Sequence, residues 1–559
     1  MMRCLVLSDF NVANFAGLMG NDEESPPLAP TLAPFGGVVP VLADGNHEGW
    51  RERPDLAFVW TLPEGVIGSY GKLVDEMQVD ADRVLSEVDD FAALIGQAAS
   101  RVRWLFVASW VHDSGLRGAG MNDWHATSGR AQMLARMNLR LAERLAPSTN
   151  VVVLDAESWM RNAGAGAFDD KLWYQGKIPF SHAVFREAVL DLKAAVRGLS
   201  GRARKLVVLD LDETMWVGIV GEVGWQGVRL GGHDAIGEAY ADFQRALKRL
   251  TRRGIVLGVV SRNDEETALA VFRHHPEMQL RLEDLAGWRI GWGDKAQALA
   301  DLVSELNLGL ESVVFIDDHP VERDRIRAAL PEVLVPEWPR NPMAFRRALL
   351  SLRCFDQPTT SAEDRQRTGS YVSERERTEL RRRVSSIDDW LRSLEMVVTT
   401  ERLSASNLAR AAQLLNKTNQ MNLTTRRMGE QELAAWANQE GHEVWLFRVA
   451  DRFGDSGITG LGSLDIRNGQ AQVVDFVLSC RVMGRKVEET MLHWLVSQGS
   501  AGSARLTWAE YLPTPKNPPC LEFWKRSGFE SENGSRFVWA GGRAYPLPST
   551  VSLDGASVG

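Results

Sequence analysis

The stretch Leu206-Val-Val-Leu-Asp-Leu-Asp-Glu-Thr214 places two carboxylates, Asp210 and Asp212, at the end of an apolar run, with Thr214 just beyond. Alternate carboxylates delivered by a hydrophobic strand into a loop make a hard, negative site suited to Mg2+ and a transferable phosphoryl group. One carboxylate can attack phosphorus while the other handles a proton. Taken alone, an Asp-x-Asp pair is more simply a solvated strand end. Here matching groups recur in order along the chain. Val259-Val-Ser-Arg-Asn263 offers the Ser261 hydroxyl and the Asn263 amide to phosphate oxygens, with Arg262 between them. Lys295, after Gly291-Trp-Gly-Asp294, can neutralise charge on a transferring group. Val313-Val-Phe-Ile-Asp-Asp318 ends in a second carboxylate pair, Asp317 and Asp318, for a metal.

Such groups work together only if successive strands end side by side. The apolar pattern predicts strands at 205–210, 255–260 and 312–317, with helices near 235–252, 264–272, 295–305 and 321–330. That alternation brings Asp210, Ser261, Asp317 and Asp318 to one sheet edge, outside the carboxyl ends of the strands. Residues 1–197 repeat the rhythm, with strands at 2–8, 56–60, 103–109 and 150–155 and helices at 87–99, 128–145 and 182–197. An α/β layer domain with a mostly parallel sheet is expected there. The Pro- and Gly-rich stretch Ser25–Gly45 reads as a long loop. Residues 355–387 are charge-rich and read as a linker or an exposed helix. A third domain spans 388–546, with helices at 405–416 and 484–498 and strands near 442–450, 457–466, 471–478 and 503–510. The Gly- and Ser-rich end after 549 reads as a frayed tail.

A chain of 559 residues is too long for one core and predicts about three domains. Its net charge of −9 and 25% charged residues indicate a soluble chain and give no footing for nucleic acid or an anionic membrane. No apolar stretch is long enough to span a bilayer, and Met1–Asp9 lacks a secretory h-region and reads as a first strand. Cys4, Cys354, Cys480 and Cys520 lie too far apart for a metal pattern or a disulfide scaffold, so cytoplasm is the expected compartment.

With these motifs in this order, the chain resembles the haloacid dehalogenase superfamily of phosphohydrolases. The resemblance implies that Asp210 is the nucleophile forming an aspartyl-phosphate and that Asp212 is the general acid and base. It assigns the phosphate to Ser261 and Lys295, with Thr214, Arg262 and Asn263 as further phosphate-binding candidates. It assigns Mg2+ to Asp210, Asp317, Asp318 and the backbone carbonyl of Asp212. The short span from Asp210 to Ser261 leaves no room for a large cap domain. An open site that admits a bulky, carrier-tethered group is therefore expected.

A closer likeness rests on Trp216-Val-Gly-Ile-Val-Gly-Glu-Val-Gly224 and Glu305-Leu-Asn-Leu-Gly-Leu310, and on the segments 315–323, 415–427, 479–485 and 513–517. Together these are similar to the FkbH-like glyceryl transferase/phosphatases of polyketide pathways. That resemblance implies that 1,3-bisphosphoglycerate supplies a three-carbon unit, which is dephosphorylated and loaded as a glyceryl thioester. The acceptor would be the 4′-phosphopantetheine thiol of a holo acyl carrier protein. Glu213 stands where Asn is usual in that family, and Val217 where Gly is usual, which bears on substrate detail more than on phosphoryl chemistry.

The third domain resembles the GNAT acetyltransferase fold. Arg481, Gly484 and Arg485, at the start of a helix, are the expected contacts for the phosphate of coenzyme A or phosphopantetheine, with Lys516 and Asn517 beside them. Cys480 is either the acyl-bearing thiol or a small buried hydrophobe. Cys520 and His493 are weaker candidates, and direct transfer to the carrier thiol needs no enzyme cysteine. In the first domain, Ser8-Asp-Phe-Asn11 and Gly120-Met-Asn-Asp123 look like blocks of SGNH-type hydrolases. Asp169, Asp170 and His182 do not form the closing Asp-x-x-His, so a catalytically silent domain is expected. The expected fold class is thus a multidomain α/β chain: SGNH-like at 1–197, haloacid dehalogenase-like with a minimal cap at 203–352, and GNAT-like α+β at 388–546. Two other readings stay open: a phosphatase of a free small metabolite, and an acyltransferase using coenzyme A thioesters with a vestigial phosphatase site.

Overall fold

The computed structural model describes all residues except 114–116, 127–128, 359–361, 385, 541–542 and 556–559, and all side chains but those of these residues and of 362–366, 379, 382–383 and 417. The chain divides into two compact units. One comprises Met1–Ile255, Val260–Gln279 and Ile290–Asp364, the other Val256–Val259, Leu280–Arg289 and Arg365–Gly559. Among the described residues, no helix is long and apolar enough to cross a membrane.

In the first unit, β1 (Met2–Ser8), β2 (Leu28–Leu32), β3 (Leu56–Trp60), β4 (Trp104–Ala108) and β5 (Val151–Leu154) form a parallel sheet in the order β2-β1-β3-β4-β5. Strands β3 and β4 are buried at every position, which is why they read as unbroken apolar runs. An aromatic core lies against this sheet: Trp60 stacks on Phe180 at 5.1 Å and meets Phe15 and Trp159 edge-on. The stretch Ser25–Gly45, expected as a loop, instead contains β2 and the helix Val38–Ala43. Pro30 concealed the strand, and it is tolerated because β2 is an edge strand paired only with β1.

A second sheet holds β6 (Leu206–Leu209), β7 (Val256–Ser261), β8 (Leu285–Ile290) and β9 (Val313–Ile316), in the order β8-β7-β6-β9. Strands β6 and β9 are parallel and wholly buried, with Leu209 opposite Ile316. Strand β8 has no clear signal in the sequence, being an edge strand interrupted by Gly287. Three helices beside this sheet begin at side-chain caps. Asp234, Asp264 and Asp294 each accept from backbone amides at the starts of Ala235–Thr251, Glu265–His274 and Lys295–Glu305.

In the second unit the strands are β10 (Met396–Arg402), β11 (Met421–Asn422), β12 (His442–Asp451), β13 (Gly454–Arg467), β14 (Gln470–Leu478), β15 (Leu506–Glu510), β16 (Glu530–Ser531), β17 (Arg536–Ala540) and β18 (Val551–Gly555). They make one sheet, ordered β16-β17-β15-β14-β13-β12-β10-β18. Strands β14 and β15 are parallel only over Gln470–Val473 and Leu506–Ala509, and β11 pairs with the far end of β14 at Val477 and Leu478. The expected frayed tail is corrected by β18, which pairs in parallel with β10 and buries Val551. Of the two readings left open for 355–387, a helix forms over Ala362–Arg383. Its buried Arg377 grips Asp451 through two hydrogen bonds of 2.6 and 2.8 Å.

One buried cation ties the last helix of the first α/β layer to its start. The Lys193 ammonium is wholly buried, donates to the carbonyls of Asp22 and Glu24 at 2.8 and 2.7 Å, and pairs with the Asp22 carboxylate. Lys193→Ala leaves these acceptors unmet and is expected to cost about 3 kcal/mol. A lowered thermal unfolding midpoint checks this, and an unchanged midpoint contradicts it.

Candidate active site

Parallel pairing of β6 with β9 sets Asp210 and Asp317 on neighbouring strand ends, and the Asp210 amide donates to the Ile316 carbonyl at 3.0 Å. The carboxylates of Asp210, Asp317 and Asp318 offer three oxygens that lie within 4.8 Å of one another. Asp210 and Asp317 are buried, at 8% and 0% exposure. The Oδ1 atom of Asp210 is itself buried and has no hydrogen-bond partner among the described residues. Lys295 reaches in from its helix start, with Nζ 3.0 Å from Asp210 Oδ2 and 2.7 Å from Asp317 Oδ2.

Burial works against charge on Asp317, Asp318 and Lys295. It pushes the Asp317 carboxyl up to about 6, reinforced by the negative charge of Asp210 and opposed by Lys295. Burial, then Asp210, raises Asp318 as well. For Lys295 burial favours the neutral amine, but Asp210 and Asp317 together outweigh it and hold the ammonium above its ordinary range. One ammonium thus answers three crowded carboxylates. A hard divalent cation bound by carboxylate oxygens is what such a donor set accommodates.

The loop that presents these groups is fixed from behind. Arg323, nearly buried, donates to the carbonyls of Asp317 and Asp318 at 2.8 and 2.7 Å, and the His319 amide donates to Asp317 Oδ1 at 2.8 Å. Thr214 Oγ1 donates to Asp318 Oδ1 and accepts from the Asp318 amide, both at 3.1 Å. Thr214 was expected at the phosphate, yet it is fully buried and its two hydrogen bonds both go to Asp318. Glu213, in the left-handed region at φ 56°, turns its side chain to the Gly218 amide, while the Tyr240 hydroxyl donates to its carbonyl.

Asp212 stands apart from the acidic cluster. Its Oδ1 accepts from the Trp216 indole at 2.9 Å and from the Val220 amide at 3.1 Å, and its Oδ2 accepts from Asn263 Nδ2 at 2.9 Å. Its carboxylate is therefore not one of the clustered ligands, leaving only its backbone carbonyl for the metal role. Asn263 also donates to Ser261 Oγ at 3.4 Å, so it is engaged by Asp212 and Ser261 rather than free for a phosphate. Ser261 remains at the strand end, buried at 3% exposure. Arg262 departs from its expected place: its guanidinium pairs with Glu322 at 2.7 Å. Trp216 was quoted only as part of a motif, and its indole hydrogen bond could not be read from residue types. Between Asp210 and the start of β7 the helices are the short Val220–Gly227, kinked at Gly224, and Ala235–Thr251.

The candidate acyl-handling residues fare differently. The Gly484 amide, expected to meet a phosphate, donates instead to Glu488 Oε1 at 2.7 Å. Arg485 is buried and engaged by Glu374 at 2.5 Å, with Asp451 at 3.9 Å. Asn517 is wholly buried and hydrogen-bonded on both sides. Its Oδ1 accepts from Tyr511 and Thr514, and its Nδ2 donates to the carbonyls of Asn422 and Leu512. These three are structural in this conformation, because the chain itself supplies their partners. Arg481 and Lys516 are exposed. Cys480 is exposed, which removes the buried-hydrophobe reading, and lies in the turn Cys480–Val482. Cys520 is buried, its thiol pushed up to about 12 by burial, and His493 Nδ1 contacts the Tyr545 carbonyl at 2.6 Å. Cys520 is a core group, and His493 is half-buried and held by that contact.

The chain has the fold of the N-terminal part of protein BF1531 from Bacteroides fragilis, at a TM-score of 0.58 and 24% identity, over 64% of this chain and 94% of that one. That protein contains a phosphatase domain and was crystallised with Mg. A GNAT-family acetyltransferase from Staphylococcus aureus matches 26% of this chain and 98% of its own, at 9% identity and a TM-score of 0.21. Spermidine N-acetyltransferase SpeG from Vibrio cholerae matches 26% and 93% of the two chains, at 15% identity and a TM-score of 0.21. Those overlaps are too slight to fix a fold. No protein-family model and no curated protein matches the chain.

The raised Asp317 carboxyl gives the cluster a pH signature. Without a divalent cation, the folded state holds a proton there that the unfolded chain has lost between its ordinary value of 3.8 and about 6. The stability it contributes is full below that window and is lost as pH rises through it. Cation binding needs the carboxylate, so apparent cation affinity rises with pH and levels off above about 6. Calorimetric titration across this range checks the trend, and an affinity that falls with rising pH contradicts it.

Proposed function

We propose that this chain is a Mg2+-dependent phosphatase that works through a phosphorylated Asp210. The observation that carries this reading is the buried, unpartnered Asp210 Oδ1 beside Lys295, Asp317 and Asp318. Asp210, Asp317 and Asp318 fit Mg2+ as an all-oxygen donor set with one oxygen left unmatched. When bound, the ion would offset the mutual repulsion of the carboxylates and polarise phosphoryl oxygens.

The chain's own groups divide the work. The Asp210 carboxylate attacks phosphorus, forming an O–P bond as the bond to the leaving oxygen breaks, and Asp212 gives that oxygen its proton. Asp212 then takes a proton from water as the water oxygen attacks the aspartyl-phosphate. The bond between Asp210 and phosphorus breaks, orthophosphate leaves, and both carboxyl groups return to their starting states. Lys295 faces the transferring group with fixed positive charge. Ser261, at the next strand end, offers a hydroxyl to its oxygens. Trp216, Val220 and Asn263 hold Asp212 in one orientation, and Arg323 and Thr214 hold the Asp317-Asp318 loop.

The substrate is proposed from the FkbH-like motifs. A thiol attacks the acyl carbon of 1,3-bisphosphoglycerate, a C–S bond forms, the C–O bond breaks and orthophosphate leaves. The remaining phosphate of the phosphoglyceryl thioester is then removed through Asp210. The acceptor is the phosphopantetheine thiol of an acyl carrier protein, reached directly or by way of the exposed Cys480. The absence of any separate domain between Asp210 and Ser261 supports a carrier-tethered substrate.

A second reading, a phosphatase of a free small metabolite, is favoured by the internal engagement of Gly484 and Arg485. A turn already satisfied by Glu488 and Glu374 offers less to a pantetheine phosphate. Mass spectrometry of intact holo carrier proteins, incubated with enzyme, Mg2+ and a source of 1,3-bisphosphoglycerate, separates the two. The proposal expects a glyceryl adduct that becomes phosphoglyceryl with Asp210→Asn, and loss of dephosphorylation on chelating the cation. Phosphate release from small substrates with no adduct on any carrier establishes the second reading instead.

A further inference from the structure

The phosphoryl chemistry leaves the first sheet without a task. Its order β2-β1-β3-β4-β5 sends the chain from β1 to one side and then back to the other, so a crevice opens at the carboxyl ends of β1 and β3. A cavity of about 410 Å3 lies beside these ends, bordered by residues that directly follow β3 and β4 and by the helix Asp170–Gly176. That volume lies within the range of small-molecule sites.

Its wall contains a polar group with nothing to bind. Tyr70 is 2% exposed, lines the cavity, and its hydroxyl forms no hydrogen bond to any described residue. Burial and the nearby Glu64 push this phenol up to about 12, so it stays neutral and able to donate or accept. Arg130 is answered by Asp123 at 3.5 Å. The lining as a whole carries five carboxylates against two arginines, with Glu64 and Asp170 exposed at its surface. Such an excess disfavours phosphates and other anions. Trp173 supplies an aromatic wall, and Lys177 already stands 4.6 Å from its ring centroid, the kind of contact an ammonium makes.

No serine, threonine or cysteine is among the cavity's described lining residues, and the Ser8 hydroxyl at the end of β1 is nearly buried and accepts from the Phe10 amide at 3.2 Å. We propose that the cavity is a non-catalytic binding site for a small organic cation, an ammonium group carried on an apolar or aromatic body. Glu64 and Asp170 attract the charge, Trp173 faces the body, and the Tyr70 hydroxyl takes the ligand's polar hydrogen. The site is separate from the Asp210 cluster and does not depend on what that cluster hydrolyses.

Isothermal calorimetry of the full chain with phenethylammonium and tetramethylammonium tests this, with glucose and inorganic phosphate as comparison probes. Saturable binding of the ammonium probes alone is expected, weakened about tenfold by Glu64→Gln for both probes and by Tyr70→Phe for phenethylammonium, the one with N–H hydrogens. Glu64 is exposed, so Glu64→Gln leaves the unliganded thermal midpoint unchanged and keeps the test valid if the Tyr70 variant unfolds. Binding of glucose or phosphate in preference to the ammonium probes overturns the proposal. So does ammonium binding that Glu64→Gln does not weaken, or no saturable heat with either ammonium probe.

Discussion

Three carboxylates crowded at the ends of two buried strands, answered by one ammonium, are the constraint on which the candidate site of this protein depends. The parallel register of β6 and β9 makes the crowding unavoidable, because it sets the buried Asp210 beside the buried Asp317. Like charges in a buried setting resist ionisation, and the raised carboxyls of Asp317 and Asp318 are that resistance. Lys295 relieves part of it, and its position is secured by the Asp294 cap that starts its helix. Arg323 holds the loop by its carbonyls rather than its carboxylates, which keeps the acidic oxygens available.

Asp212 shows how two carboxylates two residues apart acquire different surroundings. Asp210 faces the cluster, while Asp212 is turned to the indole of Trp216, the Val220 amide and the amide of Asn263. The separation depends on the tight turn through Glu213, whose left-handed backbone and side-chain bond to Gly218 fold the chain back. In the proposed mechanism, proton handling and phosphoryl acceptance thereby fall to different environments within one short loop.

The buried strands that carry this chemistry were legible because they are short unbroken apolar runs, and the chemistry-bearing residues fall at their ends. Edge strands were not: β2 is disguised by Pro30, β8 by Gly287, and β18 by the small residues around it. Site partners were read only as far as residue type allows. The sequence marks Arg262 as a cation beside a phosphate site but cannot show Glu322 arriving from another element to pair with it. It marks Gly484 and Arg485 as an anion turn but cannot show Glu488 and Glu374 filling that role. A distant carboxylate decided the outcome for Arg262 and Arg485, and one four residues on for Gly484. Trp216 is the converse, a core-looking residue whose indole N–H serves Asp212.

The central claim is that phosphate passes through Asp210. The most direct measurement is peptide mapping by mass spectrometry after the Asp212→Asn variant is incubated with phosphorylated substrate and Mg2+ and quenched in acid. Loss of the group that activates water should leave a phosphoryl adduct on the peptide containing Asp210, absent when Asp210 is also replaced by Asn. Turnover by the wild-type chain, with no adduct at Asp210 under these conditions and undiminished activity in Asp210→Asn, would contradict the account.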